Sequence, residues 1–150
     1  MQVREIMTRE PVCCPPEAKL SDVARMMAEN DCGGIPVVES SRSKRPIGVV
    51  TDRDIAIRVV AEGRDPAQMT ARDCMSTPVV TTNPDTEIAN CCQILEQHQI
   101  RRMPVVNERG ELCGIVSQAD IATFASERDT AEFVRTVSQP AKSTQKTRSC

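Results

Sequence analysis

The chain has 150 residues, 39% hydrophobic and 27% charged, with 21 acidic against 19 basic side chains and a net charge of -2. It has no Trp, no Tyr and only Phe124 and Phe133, and its Lys and Arg are scattered, which argues against nucleic-acid binding. No apolar run reaches membrane-spanning length, and Arg4, Glu5, Arg9, Glu10 and Glu17 interrupt any secretory signal, so a soluble cytoplasmic protein is expected.

From the N-terminus, Val3–Met7 reads as a short helical lead-in and Pro11–Cys14 as a short extended segment, broken by Pro15-Pro16. Leu20, Val23, Ala24 and Met27 then share one face at helical spacing. Ala18 is a poor N-cap, so this helix is expected to begin at Ser21 or to fray at its start, and Gly33-Gly34 to end it as C′ glycines. Ile35–Glu39 and Ile47–Val50 read as strands, and Asp52–Glu62 as a second helix. Gly63–Ala71 reads as a link.

The second half follows the same order. Arg72–Met75 mirrors the lead-in, Pro78–Thr82 is extended, and Asn83-Pro84 breaks the chain. Thr86 is expected to cap a helix whose Ile88, Cys91, Cys92 and Leu95 share a face. Strands Met103–Asn107 and Leu112–Val116 precede a helix over Gln118–Ala125. Residues 128–137 read as a terminal helix with Phe133, Val134 and Val137 as an apolar edge, and 138–150 as a disordered tail.

The chain is therefore written twice. Gly48-Val49-Val50-Thr51-Asp52-Arg53-Asp54 is answered by Gly114-Ile115-Val116-Ser117-Gln118-Ala119-Asp120. Met7 maps to Met75, Pro16 to Pro84 and Pro36-Val37-Val38 to Pro104-Val105-Val106, at an offset of 68. The offset falls to 66 at Gly48/Gly114, because the turn around Ser40–Lys44 carries two extra residues. A repeat of about 60 residues alone buries too little apolar surface to be secure. The halves, taken as 1–66 and 67–127, are expected to pack together.

The chain has eight cysteines. Cys74, Cys32, Cys91, Cys92 and Cys113 align with Ile6, Ile100, Val23, Ala24 and Ile47, positions of an aliphatic character. Free cysteine packs as a small hydrophobe, so these are read as core residues. Cys13 and Cys14 align with Thr81 and Thr82, and Cys150 ends the tail. A cysteine-based metal or redox protein is the alternative, but adjacent cysteines on a helix point about 100° apart, poorly placed for one metal.

At the two strand-to-helix junctions, Thr51-x-x-Asp54 and Ser117-x-x-Asp120 have capping-box spacing. The same geometry suits a ligand. A helix start favours a phosphate, the hydroxyl can donate to it, and a carboxylate one turn in can accept from the vicinal diol of a ribose. Ile35-Pro36 and Met103-Pro104 supply apolar surface for a flat base. No nucleophile stands with a base beside it, so an enzyme is not expected.

In these residues the chain resembles a tandem CBS-domain protein, a pair of cystathionine-β-synthase-type domains or Bateman module. The match rests on Met7, Pro36-Val37-Val38, Gly48–Ile55, Met75–Pro78, Arg101–Val106 and Gly114–Ile121, and covers about residues 1–125. It is most similar to small stand-alone bacterial CBS pairs, including the hypoxic response type, of which Thr51–Pro66 is typical. The resemblance implies an α+β fold of two pseudo-symmetric β-α-β-β-α repeats packed through their sheets, with two clefts for AMP, ADP, ATP or another adenosyl ligand. It implies that Asp54 and Asp120 hold ribose, that Thr51 and Ser117 hold phosphate, and that Arg53 and Arg102 reach phosphates. Ile35 and Met103, with Cys13-Cys14 and Val80-Thr81, would line the base pocket. Arg102 faces Gly34 in the alignment, so the clefts need not be equivalent. No cofactor beyond the regulatory nucleotide is implied. A homodimer, energy sensing and an effector protein are implied as well; the competing reading is a structural dimerisation module with vacant clefts.

Overall fold

The computed structural model describes residues 1–124 and 134–139. Two turns of apolar residues decide the first long helix, α1 (Leu20–Asn30), whose Leu20, Val23 and Met27 are buried on one stripe. Its counterpart α4 (Ile88–His98) buries Cys91 and Leu95. The helix ends differ from expectation. Asp31 and Gln99 are the left-handed C-caps, at φ 48° and 53°, and Gly33-Gly34 runs on towards the next strand.

The starts differ too. α1 opens at Leu20 after Lys19, and α4 opens after Glu87 rather than Thr86, neither with a side-chain cap. Thr86 instead accepts from the Asn83 N–H at 3.4 Å. The missing caps are replaced by backbone from the other repeat. The Leu20 N–H donates to the Met69 carbonyl at 3.0 Å, and the Ile88 N–H to the Met1 carbonyl at 3.0 Å. An orphan helix N–H is thus satisfied by main chain that no cap motif in the helix's own sequence could report.

The lead-ins are in fact exchanged. Short helical turns, Val3–Glu5 in the first and α3 (Ala71–Cys74) in the second, each dock on the opposite repeat. The Ala71 N–H donates to Ala18 O at 2.8 Å, and the Val3 N–H to Thr86 O at 2.9 Å. One core gathers Leu20, Val23, Ile35, Val37, Val50 and Val59 around Met69, Ala71 and Cys74. The other gathers Cys91, Leu95, Met103, Val105, Val116 and Ile121 around Val3 and Ile6. Each small core is closed by a piece of its neighbour.

The sheets follow the same rule. β2 (Gly34–Val38) pairs antiparallel with β3 (Pro46–Thr51), and β4 (Arg102–Val106) with β5 (Leu112–Ser117). A two-residue strand from the first lead-in, β1 (Thr8–Arg9), pairs with β5, placing Thr8 opposite Ile115. Ser76 bridges Val49 in the mirror position. The segments Pro11–Cys14 and Pro78–Thr82 form no regular strand. Each makes a single parallel bridge, Cys14 to Val37 and Thr82 to Val105. The fold is α+β with small sheets, as the family resemblance implies.

β3 leads directly into α2 (Asp52–Ile55), which continues as a π-helical turn over Ala56–Val60, two residues short of the expected end. β5 leads into α5 (Gln118–Phe124). Of the terminal helix expected over 128–137, residues 134–137 are helical; the rest of it, Ala125, and the tail from 140 lie outside the described residues.

The cysteines pack as the alignment suggests. Cys74 and Cys91 are fully buried, Cys14 is buried with them, and Cys32, Cys92 and Cys113 are partly buried against the two cores. Burial pushes the Cys14 and Cys91 thiols up to about 12, the neighbouring Cys13 and Cys92 adding to the effect. Such thiols stay protonated and inert.

Candidate functional site

The two β-to-α junctions fold alike because each is a reciprocal cap. The Thr51 N–H donates to Asp54 Oδ2 at 2.9 Å and the Asp54 N–H to Thr51 Oγ1 at 3.1 Å. The Ser117 N–H donates to Asp120 Oδ2 at 2.7 Å and the Asp120 N–H to Ser117 Oγ at 3.3 Å. The next amide ties each junction to the strand beside it: Asp52 N–H to Gly33 O at 3.0 Å, and Gln118 N–H to Arg101 O at 2.7 Å. Both junctions open onto a cleft.

The first cleft, about 350 Å³, has Thr51, Arg53 and Asp54 on one wall and second-repeat residues on the other: Ser76, Pro78–Val80, Gln99–Arg102 and Pro104. Asp54 is 13% exposed, and its Oδ1 lies 3.9 Å from Arg58 Nε. The Ser76 hydroxyl also donates to the carboxylate, at 3.3 Å from Oδ1. The second cleft, about 430 Å³, has Ser117, Gln118, Ala119 and Asp120 facing Thr8 and Asp31–Gly34. Much of its lining is the repeat image of the first, though the counterparts of Pro78–Val80 and Pro104 do not line it. Thr8 answers Ser76, Asp31 answers Gln99, and Gly33-Gly34 answers Arg101-Arg102. Each volume falls within the range of small-ligand sites.

The images are unequal in charge. Arg53, Arg101 and Arg102 face Asp52 and Asp54 in the first cleft. In the second, Ala119 replaces Arg53, Asp31 replaces Gln99, and Arg101 and Arg102 line the cleft from across the boundary. Arg102 lies over the two glycines. A Cβ on Gly34 would stand 2.5 Å from Arg102 Cδ, and one on Gly33 would stand 2.9 Å from Arg102 Nη1. Side chains at 33 and 34 would take the space this arginine occupies.

Of the predicted site residues, Thr51, Arg53, Asp54, Val80, Arg102 and Pro104 meet at the first cleft, and Ser117 and Asp120 at the second. Ile35 and Met103 are fully buried in the two cores, and Cys14 and Pro36 are buried as well. Those four and Thr81 line neither cleft. Sequence reasoning missed Ser76, Thr8, Gln99 and Arg101. The signal for Ser76 and Thr8 was present: a hydroxyl residue follows the repeated methionine in both halves.

A wider depression of about 840 Å³ lies elsewhere, among Arg4, Arg9, Lys44, Asp85 and Glu108; of the residues expected at the nucleotide sites it contains Cys13 alone, which lines neither cleft. Its Arg4 is already ion-paired with Asp85. Among the described residues, no three His, Cys, Asp or Glu side chains converge as a metal site, and no helix is long and apolar enough to cross a membrane.

The family profile of the CBS domain matches residues 3–61 and 71–127. The CBS domain-containing protein YhcV of Bacillus subtilis is 37% identical over 86% of this chain and 89% of its own length. Hypoxic response protein 1 of Mycobacterium tuberculosis is 34% identical over 91% of this chain and 94% of its own. The crystal structure of Hypoxic Response Protein I with two coordinated zinc ions superposes with a TM-score of 0.74 at 33% identity, covering 84% of this chain and 100% of that one. A CBS domain protein of Pyrobaculum aerophilum complexed with AMP superposes with a TM-score of 0.76 at 29% identity, covering 90% and 99%. The chain spans 61% of the length of another relative, MK0525 of Methanopyrus kandleri, at 35% identity.

Proposed function

The chain belongs to the CBS-domain family, as a tandem pair, and from that premise we propose that it is a non-enzymatic regulatory module of the cytoplasm that binds an adenine nucleotide, AMP, ADP or ATP or a related adenosyl compound, in the clefts between its repeats. One observation carries the reading: two clefts related by the internal repeat each hold a hydroxyl and an aspartate at a helix start, with arginines in reach.

In this reading Asp54 and Asp120 accept from the ribose diol through the carboxylate capacity left over from their caps. Thr51 donates to phosphate, Ser117 does so by giving up the bond its hydroxyl makes to Asp120 Oδ2 at 2.7 Å, and Arg53 and Arg102 add charge-assisted bonds. Val80 and Pro104 supply apolar contact to the base in the first cleft. Ile35, Pro36 and Met103 act from beneath, as buried members of the strands that carry the walls, with Cys14 bridged to Val37 beside them. The AMP complex of the P. aerophilum relative supports this choice of ligand class. The exposed apolar side chains of Ile57, Val60 and Phe124, at 47%, 69% and 53%, support a homodimer that covers them and passes the ligand state to an effector protein. A ligand shifts such an assembly only through unequal affinity for its states.

A second reading, a dimerisation module with vacant clefts, is favoured by the fact that both aspartates already cap their own helices. Titration calorimetry with AMP, ADP and ATP separates the two. Micromolar to millimolar affinity, about -8 to -4 kcal/mol, supports the regulatory reading. A folded protein that gives no heat with any of them supports the structural one. Native mass spectrometry of freshly purified protein adds the assembly mass and any retained ligand.

A further inference from the structure

Wherever the first repeat has Gly33-Gly34 the second has Arg101-Arg102, and both arginines line both clefts. Two independent anion sites need two sets of cations. This chain has one set at the boundary. Arg102 springs from β4 in the wall of the first cleft, and its side chain crosses the glycines that form the wall of the second. Among the described residues neither guanidinium has an ion-pair partner. Among the described residues, the pair is uncommitted.

Resting on the nucleotide reading above, we propose that Arg101 and Arg102 are a shared cation switch that makes the two clefts compete for phosphate. A phosphate in the first cleft, where Arg53 adds a third positive charge, draws Arg102 away from Gly33-Gly34. The second cleft is then left with Asp31 and Asp120 and weakened cationic cover, so a second nucleotide binds more weakly. An uncharged nucleoside has no phosphate to recruit the pair and fills both clefts without this penalty. The module thereby senses phosphate charge through the first cleft.

The test is titration calorimetry of the full chain with AMP and with adenosine, wild type beside Arg102→Gln. In the wild type, AMP is expected to bind in two steps, the second weaker by about tenfold or more, the scale of ordinary site-site coupling. Adenosine is expected to show no such gap. In Arg102→Gln the first AMP step weakens and the gap closes. Two equal, independent AMP steps in the wild type, the same gap with adenosine, or a gap unchanged in a folded Arg102→Gln protein would each overturn the shared switch while leaving nucleotide binding intact. No heat from either ligand would overturn the nucleotide reading and this inference together. Should Arg102→Gln not fold, the contrast between AMP and adenosine on the wild type decides by itself.

Discussion

Met7 rests on Gly114: a Cβ there would fall 2.6 Å from Met7 Sδ, as one on Gly48 would fall 2.7 Å from Met75 Sδ. The two methionines and the two glycines recur because each exchanged lead-in presses its methionine on the strand of the other repeat. Gly114→Ala is therefore expected to overpack this contact and cost about 1–3 kcal/mol of stability. Combining it with Met7→Ala should cost less than the two changes summed, by about 0.5–3 kcal/mol. Urea melts of the four proteins measure the cycle. Strict additivity would show that methionine and glycine are not in contact.

Asp120→Ala is expected to weaken adenine-nucleotide binding at its cleft by about 1.5–3 kcal/mol, the worth of a hydrogen bond to a charged acceptor. Asp54→Ala should act likewise at the other cleft. Each change also removes half of a capping box, so a further loss of about 1 kcal/mol in stability is expected. Calorimetry reads the first effect and thermal melts the second. A stability loss with unaltered affinity would confine these residues to capping.

Thr82 is 4% exposed and its hydroxyl has no hydrogen-bond partner among the described residues. The matching position in the first repeat is the buried Cys14. An unsatisfied buried hydroxyl costs about 1–3 kcal/mol. Thr82→Val, which exchanges the hydroxyl for a methyl, is expected to stabilise the protein by about 1 kcal/mol, seen as a higher midpoint of unfolding. A lower midpoint would mean that the hydroxyl is satisfied.

Alkaline conditions are expected to unfold the protein through its buried thiols. In the unfolded chain Cys14 and Cys91 lose their protons from the ordinary value of 9.0, whereas burial holds the folded thiols protonated to about 12. Their contribution is complete below pH 9 and is lost as pH rises towards 12, at about 1.4 kcal/mol per pH unit for each thiol. Denaturant midpoints from pH 8 to 10.5 measure the decline, and Cys91→Val, which copies Val23, should flatten it. Equal slopes in both proteins would assign the decline to other groups.

The pairs of strands and helices were legible because a repeated apolar pattern constrains itself: Leu20, Val23 and Met27 could be checked against Ile88, Cys91 and Leu95. The reciprocal caps at Thr51/Asp54 and Ser117/Asp120 were legible because their partners lie three residues apart. What depends on the other repeat was not. The starts of α1 and α4 are capped by the Met69 and Met1 carbonyls, so no local rule finds them. Gly33 and Gly34 look like helix terminators, yet their lack of side chains makes room for Arg102, nearly seventy residues away. The expected base-pocket residues Ile35 and Met103 belong to apolar strands whose alternate faces only tertiary packing distinguishes; both face a core.

The exchange of lead-ins also sets a schedule for synthesis. Thr8 finds its strand partner only at Ile115, so the ribosome must add roughly 100 residues after it, which takes on the order of 5–20 s. Throughout that interval Val3 and Ile6 have no core to enter. The lead-in that carries Val3 and Ile6 thus waits for a strand made much later, and it is there that a chaperone would find its foothold.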